Sequence, residues 1–197
     1  ITMTVIDLSG NSSSCISQIS VEDMTPPTMV CNNLTVHLNG AGSGSASGVT
    51  AGAGSTDNCG IVSYTLSDST YNCAEVGTRT LSLTATDGFG LTSSCAVNVT
   101  VLDTIRPVVT CLNVTLVLDG TGNVIPPSPP ANLPTDNCGI LSITASQTSF
   151  TCANVGTNSV TVTVTDVNAN TASCAGIVTV VDTTRPTAVC RAVSLFL

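Results

Sequence analysis

Charged and aromatic side chains are scarce in this chain. Only 8% of its 197 residues are charged, and it has four arginines, no lysine and no tryptophan. Ordinary domains are about 25% charged. With a net charge of −8, the chain offers no basic patch for phosphates or anionic lipid head groups. No apolar run is long enough to cross a bilayer, so we expect no nucleic-acid partner and no membrane insertion of this segment.

The groups that most enzymes use are also missing. The single histidine, His37, lies in the strand-like segment LTVHL, and no Gly-x-Ser-x-Gly motif accompanies it. Without a second histidine, a Ser-His-Asp triad cannot form. The sequence therefore predicts no catalytic residues and a protein that is not an enzyme.

Ten cysteines recur with a fixed period. Cys15 and Cys95 are 80 residues apart, and Cys95 is followed 79 residues later by Cys174. The other seven fall on the same lattice: Cys31, Cys111 and Cys190, then Cys59 and Cys138, then Cys73 and Cys152. The absence of Cys-x-x-Cys pairs argues against zinc and favours disulfides in an oxidising compartment. We therefore expect an extracellular or cell-surface location.

The same period divides the chain into repeats. Two complete copies span residues 24–103 and 104–182, preceded by the C-terminal strands of another copy (1–23) and followed by the first strand of a further one (183–197). Segments such as LSLTATDGFGLTSSC and VTVTVTDVNANTASC alternate apolar and polar residues, as β-strands with one buried face do. The sequence predicts an all-β fold of tandem immunoglobulin-like β-sandwich domains, with about 79–80 residues per repeat, stapled by disulfides.

These motifs resemble the hyalin-repeat (HYR) family of immunoglobulin-like modules. The resemblance covers the whole chain and rests on PTMVC, TDNCG, CANVGT, TVTDVNAN and the junction VLDTIRP. The form with four cysteines and TDNCG is similar to tandem repeats of large bacterial secreted surface proteins. This resemblance implies extracellular structural or adhesive work. The turn GFGL departs from the family pattern.

The strand order favours one disulfide pairing. Disulfides need Cα atoms within about 7 Å of each other. In a sandwich of this type the first and last strands run parallel, so their starting cysteines lie at the same end of the domain. We therefore predict two bonds between first and last strands, Cys31–Cys95 and Cys111–Cys174. The remaining cysteines would pair within each repeat, as Cys59–Cys73 and Cys138–Cys152.

Cys15 and Cys190 remain without partners in this scheme. They occupy last-strand and first-strand positions, so we expect them to pair with neighbouring repeats or subunits. Two arrangements fit: the chain is a segment of a longer array of repeats, or separate copies of the chain complement each other at their ends. The first is favoured, because an end-to-end swap would lack the middle strands of the shared domain.

Aspartates recur at three positions of the repeat. In the predicted sandwich, these positions and the neighbouring asparagines converge at the end facing the preceding repeat. They form two sets of candidate metal ligands: Asp23, Asp57, Asn58 and Asp87, then Asp103, Asp136, Asn137 and Asp166. Clustered oxygen ligands are typical of calcium sites. Two alternatives stay open: the aspartates only form turns, or Arg106 and Arg185 pair with Asp103 and Asp182.

The sequence thus predicts an extracellular structural repeat protein. We expect a linear rod or filament of end-to-end domains, stiffened by calcium at the junctions, whose partners are copies of itself or further repeats of the same chain. The alternative is a stalk or binding module of a cell-surface adhesin. The scarcity of aromatic residues, 3% of the chain, weakens a binding surface here, because binding sites rely on aromatic anchors.

Overall fold

The computed structural model describes residues 1–195, and strands dominate that part of the chain. An N-terminal hairpin pairs β1 (Thr2–Ile6) with β2 (Ser12–Ile16). The first repeat then contains β3 (Leu34–His37), β4 (Ser43–Ser45), α1 (Gly48–Ala51), β5 (Ile61–Leu66), β6 (Thr70–Asn72), a 3₁₀ turn (Cys73–Glu75), β7 (Gly77–Asp87) and β8 (Thr92–Leu102). The second contains β9 (Val114–Val117), β10 (Asn123–Val124), β11 (Ile140–Ala145), β12 (Phe150–Thr151), a 3₁₀ turn (Cys152–Asn154), β13 (Gly156–Asp166) and β14 (Thr171–Val181).

Both repeats have the same strand order. A four-stranded sheet runs β3-β8-β7-β5 in the first and β9-β14-β13-β11 in the second, and a two-stranded sheet accompanies each, β4-β6 and β10-β12. In the second repeat the first strand, β9, pairs in parallel with the last, β14. The all-β sandwich fold predicted from the sequence is confirmed.

Alternating valines build the core of each sheet. In β13, Val160, Val162 and Val164 are fully buried, and the residues between them are more exposed. In the second repeat Phe150 and Leu118 pack with Val160 and with the valines of β14. Burying such side chains stabilises the fold by about 1.5–3 kcal/mol each.

By contact density, the chain divides into two compact units. The first contains residues 1–34, 46–69 and 78–100, and the second contains 35–45, 70–77 and the chain from 101 onward. Because the units do not follow the sequence repeats, the boundaries 24–103 and 104–182 remain predictions. Each disulfide and each acidic cluster described below lies within one unit.

The predicted strand at 183–197 is not observed in the described part of this segment. Residues 183–195 have no strand pairing, and positions 196 and 197 lie outside the described residues. A β-strand needs a hydrogen-bonded neighbour, and residues 183–195 have none. Alternation of apolar residues therefore indicated a capacity to form a strand, not a strand already formed.

The disulfides differ from the prediction in one respect. Cys31 bonds Cys95 and Cys111 bonds Cys174, with Cα atoms 6.5 and 5.6 Å apart, as the strand order predicts. The predicted pairs Cys59–Cys73 and Cys138–Cys152 are wrong, because Cys73 bonds Cys138, with Cα atoms 5.3 Å apart. The reason is the position of the second TDNCG turn: the carbonyl oxygen of Asn137 lies 3.5 Å from the Cys73 sulfur. The unpaired cysteines are Cys15, Cys59, Cys152 and Cys190, all exposed.

Candidate metal centres

Local turns fix one oxygen of each aspartate in the first set. Asp57 lies in the TDNCG turn, where its Oδ2 accepts a hydrogen bond from the Cys59 N–H at 2.8 Å. Asp87 ends β7, and its Oδ1 accepts from the Phe89 and Leu91 N–H groups at 2.8 and 2.9 Å. Asx turns of this kind are a common use of aspartate, so the turn-forming role that the sequence left open is present.

The strand register brings these turns together. Ile61, the first residue of β5, lies opposite Asp87 in the ladder, so the TDNCG turn just before β5 lies beside the end of β7. Asp23 joins them through its Oδ1, which accepts from the Thr25 N–H and the Asn58 side-chain amide, both at 3.0 Å. Asn58 therefore orients a candidate ligand through its amide nitrogen.

Carboxylates meet at two places among the described residues. One oxygen from each of Asp23, Asp57 and Asp87 lies within 4.8 Å of the others, and Asp103, Asp136 and Asp166 form an equivalent set. These are the six aspartates that the sequence predicts to converge. We call the sets the first and second acidic clusters.

The oxygens left over from the turns carry the main evidence for a cation. In the first cluster, Asp23 Oδ2, Asp57 Oδ1 and Asp87 Oδ2 are buried without a hydrogen-bond partner. Leaving a buried polar group unpaired costs about 1–3 kcal/mol, and more for a charged one. A hard cation would satisfy all three oxygens at once. Turn formation therefore uses one oxygen of each side chain and leaves the other available for a cation.

The second cluster also contains buried oxygens without partners, two from carboxylates and one from an amide. Asp103 Oδ2, Asp136 Oδ1 and Asn137 Oδ1 are buried and unpartnered. Asp103 Oδ2 has no hydrogen-bond partner, so Arg106 does not pair with this oxygen. The alternative in which Arg106 holds the junction by a hydrogen bond to Asp103 Oδ2 is therefore not observed. The exposed fraction is only 7% for Asp103 and 0% for Asp166.

Two further asparagines at the second cluster were not singled out from the sequence. Asn170 donates to Asp166 Oδ2 at 2.9 Å and to the Asp103 carbonyl oxygen at 3.3 Å. Asn168, which donates its N–H to Asp166, has a buried Oδ1 without a partner. The signal was present in the sequence, since these residues are the asparagines of DVNAN and GFGL replaces them in the first repeat.

The clusters also affect the groups around them. Hydrogen bonds from the Thr25 N–H and the Asn58 amide lower the pKa of Asp23, so this carboxyl remains ionised at neutral pH. A hydrogen bond with Asp23, desolvation and the charges of Asp23, Asp57 and Asp87 raise the pKa of the Cys59 thiol. Hydrogen bonding to the ionised carboxylate explains the shift of Asp23, whereas the shift of Cys59 reflects the negative charge of the first cluster together with the hydrogen bond and desolvation.

Outside the clusters, two other sequence features have clear positions. His37 is an exposed side chain of β3. The proline-rich segment PPSPP, residues 126–130, lines a cleft of about 180 Å³ together with Phe150 and Gln147. Ligand pockets usually measure about 300–1,000 Å³, so this cleft is small for a binding site. None of the described helices is long and apolar enough to cross a membrane.

Comparisons with known proteins show only distant similarity. No family model and no curated protein sequence matches the chain. Among solved structures, human mucin-like protocadherin EC1-2 is 13% identical, with a TM-score of 0.34, over 79% of this chain and 98% of that one. Mouse clustered PcdhgC3 EC1-3 is 14% identical, with a TM-score of 0.32, over 92% and 76%.

Other matches are equally weak. An endo-fucoidan hydrolase, MfFcnA9, is 16% identical, with a TM-score of 0.28, over 79% of this chain and 34% of that one. The chain spans 51% of a protocadherin gamma B7 fragment and 64% of a PcdhgB3 fragment. At these scores the neighbours carry no argument about what the chain binds or does.

Proposed function

We propose that this chain is part of an extracellular structural protein, similar to the hyalin-repeat proteins of bacterial surfaces, in which immunoglobulin-like repeats join end to end. Calcium at the start of each repeat stiffens the resulting rod or filament. The single observation that carries the proposal is the recurrence of the acidic cluster. In each of the two repeats three carboxylates lie together at the same position, and each cluster contains buried carboxylate oxygens that have no partner.

The position of the clusters explains why a cation would stiffen the array. Asp103 follows the last strand of the first repeat, whereas Asp136 and Asp166 belong to turns of the second. A cation that binds all three would hold the second repeat against the segment that leads into it. Asp23, Asp57 and Asp87 would do the same at the preceding junction. Carboxylates supply the hard oxygen ligands that calcium prefers.

A thermal melt tests the metal. We expect calcium to raise the melting temperature and chelation to lower it again, since a ligand present at 100 times its Kd stabilises the folded state by about 2.7 kcal/mol per site. The matched variant carries Asp87→Asn and Asp166→Asn, which keep the turn-forming oxygens and remove one charge from each cluster. A melt that is the same with calcium and with chelator would contradict the proposal.

Electron microscopy of the native material tests the assembly. We expect long uniform fibres that bend or fragment when divalent metal is chelated. Short isolated rods that are indifferent to chelator would instead favour the stalk of an adhesin held by disulfides alone.

A further inference from the structure

The Cys73–Cys138 bond joins two copies of the sequence repeat. Around it, the second TDNCG turn contacts four residues of the preceding copy, which we call the first docking site: Asn39, Gly42, Cys73 and Asp103. The Asn137 amide donates to the Asn39 carbonyl oxygen at 3.3 Å and to Asp103 Oδ1 at 3.1 Å. A Cβ on Gly42 would lie 2.9 Å from the Asn137 carbonyl oxygen, so glycine permits this close approach.

The second repeat carries an equivalent site without a docked turn. Its residues at the four corresponding positions form the second docking site: Asp119, Gly122, Cys152 and Asp182. They line an open cavity of about 460 Å³. The Cys152 sulfur lies 3.6 Å from the Gly122 carbonyl oxygen, as the Cys73 sulfur lies 3.7 Å from that of Gly42. The cavity therefore reproduces the local geometry of the occupied site.

The first repeat carries the complementary part, an undocked TDNCG turn. Asn58 and Cys59 are exposed, whereas their counterparts Asn137 and Cys138 are half-buried. Asn58 nevertheless contacts Asp23 as Asn137 contacts Asp103. The turn is thus formed in the geometry that docks in the second repeat, and its cysteine is available.

Exposed apolar residues of the N-terminal segment independently favour contact with a preceding repeat. Met3 and Val21 have exposed fractions of 57% and 83%. Their counterparts one repeat later, Leu83 and Val101, are fully buried. Side chains at these positions are buried when a repeat is complete.

We propose that every TDNCG turn docks on the preceding repeat and bonds its cysteine. Cys152 thus bonds the TDNCG cysteine of the following repeat, and Cys59 bonds the Cys152 equivalent of the preceding one. This inference rests on the proposed array of repeats but not on calcium. Each repeat then has one disulfide within it and shares one with each neighbour.

The bond forms by thiol–disulfide exchange with a disulfide-bearing oxidant of the extracellular compartment. The Cys152 thiolate attacks one sulfur of the oxidant and forms a mixed disulfide. The thiolate of the docked turn then displaces the oxidant, which leaves as a dithiol and carries away the two electrons. The two protons that the cysteine thiols lose are balanced by the two that the reduced oxidant takes up.

The consequence is an array that survives cuts in its backbone. The loops closed by Cys31–Cys95, Cys73–Cys138 and Cys111–Cys174 overlap in sequence. A single backbone break anywhere between residues 31 and 174 therefore leaves one covalent molecule. The proposed bonds would extend this property along the whole array.

A trypsin digest tests the bond from which the proposal starts. Pro107→Ala makes Arg106 a cleavage site between the repeats. In the unfolded, unreduced variant, the two repeats should stay joined on a gel through Cys73 and Cys138 after cleavage. Separation of the repeats without reductant would show pairing within repeats and overturn the proposal.

A lengthened chain tests the new bond. We would insert a second copy of residues 104–182 after residue 182, which adds four cysteines. The present chain has four free thiols, and we expect the longer chain to have four as well, because the added turn fills the second docking site and leaves the added docking site open. About six free thiols, as counted in denaturant without reductant, would overturn the proposal.

Glycine variants of the longer chain test the docking geometry. Gly122 corresponds to Gly42, where an added Cβ would contact the docked turn, and its φ is +78°. Gly122→Ala therefore adds a Cβ at the place where the next turn is proposed to dock. Gly120→Ala is the matched control, since nothing lies within 4 Å of its Cβ. We expect two additional thiols in the first variant and none in the control. Equal thiol counts in the two would contradict the proposed docking.

Peptide mapping of native material, alkylated without reductant, needs no variant. We expect Cys59 and Cys152 to escape alkylation and to appear linked to peptides with CANVGT-like and TDNCG sequences. If reduction separates the native material into smaller molecules, the proposed bonds join separate copies of the chain. If its mass is unchanged by reduction, the bonds join repeats of one chain. Alkylated Cys59 and Cys152 would overturn the inference without affecting calcium binding, which is measured separately.

Discussion

Asp87→Asn should stabilise the metal-free protein and weaken its response to calcium. The amide oxygen of asparagine can accept the hydrogen bonds that Asp87 Oδ1 receives from Phe89 and Leu91. The amide nitrogen then replaces Oδ2, which is buried and has no partner. The substitution therefore keeps the turn and removes one charge from the first acidic cluster.

The magnitude follows from the separation of the carboxylates. Two unit charges at the 4.8 Å limit of the cluster repel by about 3.5 kcal/mol at an effective dielectric constant of 20, and by about 0.9 kcal/mol in water. Removing one charge of three relieves two of the three repulsions. The metal-free variant should thus gain about 2–7 kcal/mol, which raises the melting temperature by at least about 4 °C.

Calcium should reduce this difference in stability between the variant and the parent chain. The parent chain has two clusters to fill and the variant has one, so the calcium-induced increase in melting temperature should fall by about half. Differential scanning calorimetry in chelator and in calcium measures both effects.

Asp7→Asn is the matched control for this experiment. Asp7 accepts the same turn hydrogen bonds, from the Ser9 and Asn11 N–H groups, but belongs to neither acidic cluster. It should not change the response to calcium. A lower melting temperature of Asp87→Asn in chelator, or an undiminished calcium response, would refute the reasoning.

Three further changes have defined outcomes. Cys73→Ser opens a loop of 65 residues and should lower the free energy of unfolding in urea by about 4 kcal/mol, whereas Cys152→Ser should leave it unchanged. The Cβ added by Gly42→Ala would lie 2.7 Å from the Cys73 sulfur, at a residue whose φ is +71°. This variant should lower the free energy of unfolding by at least about 1 kcal/mol, whereas Gly40→Ala should leave it unchanged. Hydrogen bonds within its turn lower the pKa of Asp119, so Asp119→Asn should be less stable than the parent at pH 6, and the difference should vanish as pH falls through that lowered pKa.

The acidic clusters could be predicted because they depend on features that a repeat displays directly. Asp87 ends a strand, and the TDNCG turn precedes the strand beside it. Once the strand order is known, the two must meet. The hydrogen bonds of each turn are equally local. Which oxygen remains unpartnered, in contrast, depends on how the turns pack in three dimensions.

The Cys73–Cys138 bond could not be predicted in this way because it depends on how one repeat docks on the next. Pairing Cys59 with Cys73 follows only by elimination, once Cys31 and Cys95 are paired within the same repeat. The three observed bonds instead share nearly equal separations of 64, 65 and 63 residues. This regularity of the cysteine lattice was a signal for the correct partner.

Calcium titration by calorimetry tests the central claim most directly. At neutral pH, we predict binding of two calcium ions per chain, one at each acidic cluster, and loss of both in the Asp87→Asn, Asp166→Asn variant. No heat of binding in the parent chain, or the same stoichiometry in the variant, would contradict the proposal that calcium holds the repeats together.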